Sequence, residues 1–181
     1  MTSTTARAYI AFGANLGDPF ATFARALEAL DALPLTRLTA HSSCYRSAPL
    51  GVVGEQPDYI NAVAAVDTAL SPAALLDRLL ALEAAGGRTR AAARAPRPID
   101  LDLLLHGDTE LRAPALTLPH PRLHQRAFVL RPLAEIAPGL VIPGLGPLAP
   151  LLETVRGQRI ARVRPVRPPA HTVDTRTPIG E

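Results

Sequence analysis

Lysine is absent from this chain of 181 residues, so all 19 basic residues are arginine. That excludes a Walker A lysine, a protein-kinase lysine and Schiff-base chemistry. Any phosphate handled here must be held by Arg, His, backbone amides or metal. The one cysteine, Cys44, excludes an internal disulfide framework and a cysteine-based zinc site, and reads as a small buried or half-buried residue. Tryptophan is missing and aromatics amount to 4%, which is little for a surface that stacks nucleic-acid bases. The pI of about 9.7 nevertheless raises that possibility, so the position of the charge matters. Residues 156–181 carry six Arg against two acids, while residues 1–155 carry 13 Arg against 14 acids. The basicity therefore lies mainly in a tail, not in a stripe on the folded body, and nucleic acid is not an expected partner. No apolar run approaches the roughly 18 residues of a membrane span, and MTSTTARAY lacks an apolar signal core. A cytoplasmic protein with no membrane partner is the expectation.

What is present fits one domain with a Leu- and Ala-rich core, 48% of the residues being hydrophobic. Residues 8–16 read as a strand entering a Gly/Asn turn at Gly13 to Gly17. Asp18 and Pro19 then open a helix, with Phe20, Phe23, Ala24, Leu27 and Leu30 at helical spacing. Strands are expected over 37–46 and 58–68, separated by a Pro- and Gly-containing loop from Ser47 to Pro57. Ser71 and Pro72 open a second helix whose apolar face holds Leu75, Leu76, Leu79, Leu80 and Leu82, and Gly86-Gly87 stops it. A further strand covers 98–106. Strand, helix, strand, strand, helix, strand is the split βαβ order, so the expected fold is α+β: a ferredoxin-like, antiparallel-rich sheet with packed helices in a single domain. Shorter elements follow to about Leu152. Residues 157–181, rich in Arg, Pro and Thr, read as a mostly disordered tail whose removal should leave activity and melting temperature nearly unchanged.

The sharpest chemical signal is Asp100-Leu101-Asp102. On a strand both carboxylates share a face, while Ile99, Leu101, Leu103 and Leu105 turn to the core. Two carboxylates so close repel unless a cation or Arg lies between them, and hard oxygen ligands of this kind suit Mg²⁺ with substrate phosphates. A polar strand face balanced by Arg is the plainer alternative. Upstream, Arg88, Arg90, Arg94 and Arg97 fall within ten residues with no acid among them. Guanidinium pairs grip phosphate oxygens, although a solvated basic loop has the same composition. Glu83 lies on the apolar stripe of its helix, where it either snorkels at the helix end or pairs with a nearby Arg, and reads first as structural. His120 sits between Pro119 and Pro121 in a stiff turn, a setting suited to ligand contact. His41, His106 and His171 have no such setting, and His124 is left open. Tyr59 and Asn61 share a strand face, where a ring beside an amide can recognise a flat heterocycle or be an ordinary strand pair.

Taken together, YIAFGANLGD, YRSAPLG, QPDYINAV, the run from Glu83 to Arg90, PRPIDLDLLL and LPHPRLHQRAFVLRPLAEIAP resemble the 6-hydroxymethyl-7,8-dihydropterin pyrophosphokinases of folate biosynthesis. The resemblance spans about residues 8–152, in the family's order, and implies a catalytic domain over 8–156. It implies transfer of pyrophosphate from ATP to the pterin hydroxymethyl group, the pterin oxygen attacking the β-phosphorus and AMP leaving. Asp100 and Asp102 would hold two Mg²⁺ ions. Arg88 and Arg97, with those carboxylates, would be catalytic. Glu83, Arg88, Arg90, Arg97, Leu103, Thr117, His120 and Arg126 would bind ATP, with Leu103 and Thr117 on the adenine side. Ser47, Pro49, Leu50, Tyr59, Asn61 and Phe128 would bind the pterin, Tyr59 and Phe128 sandwiching the ring. The expected partners are these two small molecules, with other folate-pathway enzymes as macromolecular candidates. The loops at 47–57 and 86–98 would be lids, and the family usually has Trp and Gly before the PR of the second, where this chain has Ala95 and one residue fewer. Ala14 stands for a usual Ser, and Pro121 for a Tyr found in some members. A different metal-dependent nucleotidyl or phosphoryl transferase would share the Asp pair and Arg loop but would not need Tyr59, Asn61 and Phe128. A non-catalytic ferredoxin-like binding module would be indifferent to loss of Asp102.

Overall fold

The computed structural model describes residues 5–49, 55–88 and 96–164. Strand β1 (Ala6–Ala14) splits its side chains between two layers: Ala8, Ile10, Phe12 and Ala14 on one face, Tyr9 and Ala11 on the other. Asp18 caps α1 (Pro19–Asp31), its Oδ1 accepting the N–H groups of Phe20 and Ala21 at 3.1 Å each. Pro19 begins the helix where no N–H is needed. Phe23, Ala26, Leu27 and Leu30 form the buried stripe. Helix α2 (Pro72–Ala85) starts the same way, with the Ser71 hydroxyl accepting from Ala74 N–H at 3.2 Å. It buries Leu75 and Leu79, whereas Leu80 is exposed. Gly86 ends it against Ile99, and a Cβ there would sit 2.7 Å from Ile99 Cγ2. Only glycine lets the helix end approach the chain that leads into the next strand.

The single strand expected over 37–46 is two: β2 (Thr36–His41) and β3 (Cys44–Ser47). Between them, Ser42 exchanges backbone for side chain. Its N–H donates to Val63 O at 2.8 Å, and its Oγ accepts Val63 N–H at 2.9 Å. The hydroxyl replaces a ladder carbonyl, so the half-strands pair with different ends of β4 (Tyr59–Thr68). On the far side of β1 lies β5 (Asp100–His106). All these pairings are antiparallel, and the lateral order β3–β4–β1–β5 is that of the ferredoxin-like plan.

Short pieces follow: β6 (Leu111–Arg112), β7 (Thr117–Leu118), a 3₁₀ turn at Leu123–Gln125, α3 (Ala127–Ile136), β8 (Val141–Ile142), β9 (Gly146–Pro147), α4 (Leu148–Thr154) and β10 (Ile160–Arg164). Helices α1 and α2 cover one face of the sheet, and α3 with the segment around α4 covers part of the other, giving two apolar cores. Strand β5 feeds both. Leu101 and Leu103 join the α1/α2 core. A bulge opposite Tyr9 and Ile10 then slips the register, so that Leu104 and Leu105 both join the α3 core. Leu105 is therefore not on the Leu101 face, as uninterrupted alternation predicts.

The boundary drawn before residue 157 also moves. Strand β10 pairs antiparallel with β3, and Gln158 Oε1 accepts Ala127 N–H at 2.9 Å while its Nε2 donates to Gln125 O at 2.7 Å. Arg162 Nε donates to Ser43 Oγ at 2.9 Å. With Ile160, Ala161 and Val163 apolar, and Ile160 and Val163 only partly buried against the two cores, this strand leans on backbone pairing and polar side chains, so it leaves little burial pattern in the sequence. Residues 165–181 of the expected tail lie outside the described residues. Among the described residues, no helix is long and apolar enough to cross a membrane.

Candidate active site

One end of the sheet's α3 face is left open, and small side chains make its floor. Gly13 pairs with Asn61 on one side and Asp100 on the other, so a single row reads Tyr45, Asn61, Gly13, Asp100. The next row is Val63, Ala11, Asp102. An amide thus stands on one flank and two carboxylates on the other. Among the described residues, a Cβ on Gly13 would meet only Asn61 Oδ1, at 3.6 Å.

On the carboxylate flank, Asp100 Oδ1 accepts from Arg88 Nη1 and its Oδ2 from Arg97 Nη1, both at 2.6 Å. Behind Arg88, buried Glu83 accepts from the same guanidinium nitrogen and from Leu101 N–H at 2.6 Å. Burial pushes the Glu83 carboxyl up, outweighing the Leu101 hydrogen bond and the Arg88 charge. Glu83 therefore orients Arg88 from below and does not stand on the open shelf. Asp102, with its side chain 40% exposed, is raised to about 6, first by desolvation and then by the Asp100 charge, against the pull of Arg126, Arg88 and Arg97.

His120 is fixed through its backbone N–H to Leu104 O at 2.9 Å. Its Nδ1 accepts Arg122 N–H at 3.2 Å, which leaves the ring proton on Nε2, 4.0 Å from Asp102 Oδ2. Burial, then the charges of Arg126 and Arg122, lower its pKa to about 4. At neutral pH it is an uncharged N–H donor. Arg126, the N-cap of α3, lies over the Phe128 ring at 5.5 Å from the centroid. Burial lowers its pKa without discharging it. Among the described residues, no carboxylate lies within ion-pair distance of Arg126.

On the amide flank, buried Asn61 donates through Nδ2 to Ser47 Oγ at 2.9 Å and to Tyr45 O at 3.2 Å. Tyr59 heads β4, half-buried, paired with Ser47; Pro49 is half-buried nearby in sequence. Phe128 packs at the edge of the α3 core. Thr117 is half-buried on β7. Leu103 needs correction: it is 3% exposed in the α1/α2 core, on the opposite face, so its side chain does not line the shelf. Arg90, Arg94, Ala95 and Leu50 lie outside the described residues. In the sequence Asn15 shows only as turn chemistry. It is 3% exposed and hydrogen-bonded to two distant segments.

The donor set can be tested for a cation. Among the described residues, no group of three or more His, Cys, Asp or Glu is gathered to hold a metal unaided. Two carboxylates on one strand face fit the partial coordination that Mg²⁺ takes when substrate oxygens and water complete it.

A family model described as 7,8-dihydro-6-hydroxymethylpterin-pyrophosphokinase matches residues 9–138. The 2-amino-4-hydroxy-6-hydroxymethyldihydropteridine pyrophosphokinase of Pseudomonas aeruginosa is 45% identical over 157 residues, covering 87% of this chain and 96% of that one. The Haemophilus influenzae protein of the same name is 42% identical over 158 residues, covering 87% and 98%. Among solved structures, wild-type Plasmodium falciparum HPPK-DHPS matches with a TM-score of 0.65 at 13% identity, over 83% of this chain and 44% of that one. That likeness shows the fold, and this chain spans less than half the length of that protein. With two relatives above 40% identity and nearly full mutual coverage, the chain belongs to the 7,8-dihydro-6-hydroxymethylpterin-pyrophosphokinase family.

Proposed function

We propose that the shelf across Asn61, Gly13 and Asp100 is where the family's reaction takes place, with the pterin on the amide flank and the triphosphate on the carboxylate flank. The reaction passes pyrophosphate from ATP to the hydroxymethyl group of 6-hydroxymethyl-7,8-dihydropterin, giving the pterin diphosphate and AMP in folate biosynthesis. The pterin oxygen forms a bond to the β-phosphorus as the bond from that phosphorus to the α-phosphate oxygen breaks, and the hydroxyl proton is lost.

The supporting observation is the charge arrangement. Arg88, Arg97 and Arg126 face Glu83, Asp100 and Asp102, so the described site is formally balanced. A triphosphate brought into it needs further positive charge. The Asp pair would hold Mg²⁺, which would supply charge neutralisation at the phosphates. Arg88 and Arg97, which now occupy both Asp100 oxygens, are the guanidiniums placed to pass to phosphate oxygens. His120 supplies a neutral N–H donor, and Arg126 a cation with no carboxylate partner among the described residues. Such groups lower the barrier because they are fixed before charge shifts in the transition state. Tyr59 and Phe128 would hold the pterin ring, Asn61 its edge. The one cysteine, Cys44, is free and buried, which fits a reducing compartment such as the cytoplasm.

Asp102→Asn tests this reading. Among the described residues the ion pair of Asp102 is with His120 Nε2 at 4.0 Å, so the fold should be kept. Mg²⁺-dependent AMP formation should fall by about 100-fold or more, the scale of losing one charge-placing group. A variant close to the wild-type rate would contradict the assignment.

A further inference from the structure

Arg126 breaks two local rules for a residue that caps a helix. An arginine side chain cannot accept the free N–H groups of the first turn, and its charge stands at the positive end of the helix dipole. Its side chain accordingly makes no capping hydrogen bond to α3. The cap comes from Gln158, 31 residues beyond Ala127 and outside residues 9–138, the segment the family model matches. Gln158 Oε1 accepts Ala127 N–H at 2.9 Å, one of the helix's unmatched donors, while its Nε2 donates to Gln125 O at 2.7 Å. One planar amide thus grips the peptide groups on both sides of Arg126. Arg126 is itself extended, with φ −125° and ψ 109°, so the Gln158 amide pairs with it much as a neighbouring strand would.

Arg126 stands at the joint between the 3₁₀ turn and α3, so the direction of its guanidinium follows from the backbone there. On the helix side its carbonyl accepts Leu130 N–H at 2.9 Å. On the turn side its N–H reaches Leu123 O only at 3.4 Å, which is long for a hydrogen bond. Gln158 reinforces that weaker side by tying Gln125 to Ala127. Gln158 is in turn anchored, because its own N–H donates at 2.9 Å to the carbonyl of Val155, a residue buried in the α3 core. We propose that Gln158 is a positioning residue for the nucleotide: it fixes the Arg126 backbone, so that the guanidinium over Phe128 meets the phosphates of ATP already oriented. This rests on the placement of ATP against Arg126 given above. Supplying the cap from Gln158 leaves position 126 free to carry a cation, which a capping Ser or Asp there would not allow.

The test uses the full chain. It compares kcat/KM for ATP, at saturating pterin and well below the melting temperature, in a double-mutant cycle of Gln158→Met with Arg126→Ala. Gln158→Met keeps the length of the side chain and removes both hydrogen bonds. It should lower kcat/KM by about tenfold or more, since small displacements of a positioned group can cost up to about 100-fold. On the Arg126→Ala background it should cost nothing further, because it acts through that guanidinium. Gln158→Glu keeps the acceptor for Ala127 N–H and suits the positive end of α3, but loses the donor to Gln125 O. It keeps the cycle available if the Met variant does not fold, and its smaller loss should likewise vanish on the Arg126→Ala background. A merely structural Gln158 would lower the melting temperature and leave kcat/KM unchanged, or cost the same factor with and without Arg126. Either result overturns the inference and leaves the site placement standing. An Arg126→Ala variant with the wild-type kcat/KM overturns the placement of ATP against Arg126, and the inference falls with it.

Discussion

Gly13 occupies the middle of the shelf, outside the left-handed region, and a Cβ there would make only an ordinary contact with Asn61 Oδ1. Neither backbone conformation nor crowding by the described residues requires glycine at this strand position, where it costs roughly 0.5–1 kcal/mol relative to Ala. Close approach of a ligand is the remaining physical reason. Gly13→Ala should therefore keep or raise the melting temperature while raising the pterin KM by about tenfold, a loss of about 1.4 kcal/mol of binding. Unchanged pterin kinetics would remove Gly13 from the floor. At this scale the sequence exposes what alternation exposes: Asp100 and Asp102 share a face because side chains alternate, as do Tyr59 and Asn61. It hides what depends on distant partners. Glu83 looks like one acid on an apolar stripe, and only the fold shows it beneath Arg88 and Leu101 N–H. Asn15 looks like turn chemistry because its partners, Arg97 and Pro57, are remote in sequence.

The helices are readable from sequence because their signals are local. Asp18-Pro19 and Ser71-Pro72 place a cap before a first-turn proline, and the apolar spacing follows at once. Strand details are less so. The break at Ser42 depends on a hydroxyl reaching Val63, and the bulge in β5 depends on the register of β1. Strand β10 has almost no burial signal, yet it pairs with β3 and ties Arg162 to Ser43 and Glu135. Its neighbour Gln158 caps Ala127 at the start of α3. Ending the chain after Arg156 should consequently lower the melting temperature by several degrees, since a loss of about 1 kcal/mol shifts a domain of this size by roughly 2–4 °C. Ending it after Arg164 keeps β10 and is the matched control. Equal melting curves for the two truncations would show that β10 contributes nothing.

Across the whole molecule, the site draws on segments far apart in the chain: the end of β1, the starts of β4 and β5, the end of α2, the His120 turn and the start of α3. The antiparallel order β3–β4–β1–β5 brings the starts of β4 and β5 to flank the end of β1, which is why chemistry scattered from Gly13 to Asp100 meets in one row. The family resemblance could be read because those short motifs survive in order. Their meeting could not be read without the sheet register. On the proposed reading this shelf moves two phosphates as one group. To test it, the purified chain is incubated with ATP, Mg²⁺ and 6-hydroxymethyl-7,8-dihydropterin, and the nucleotide and pterin products are identified by mass. AMP and pterin diphosphate should form in equal amounts, and only when the pterin is present. ADP with a pterin monophosphate, or nucleotide breakdown indifferent to the pterin, would contradict it.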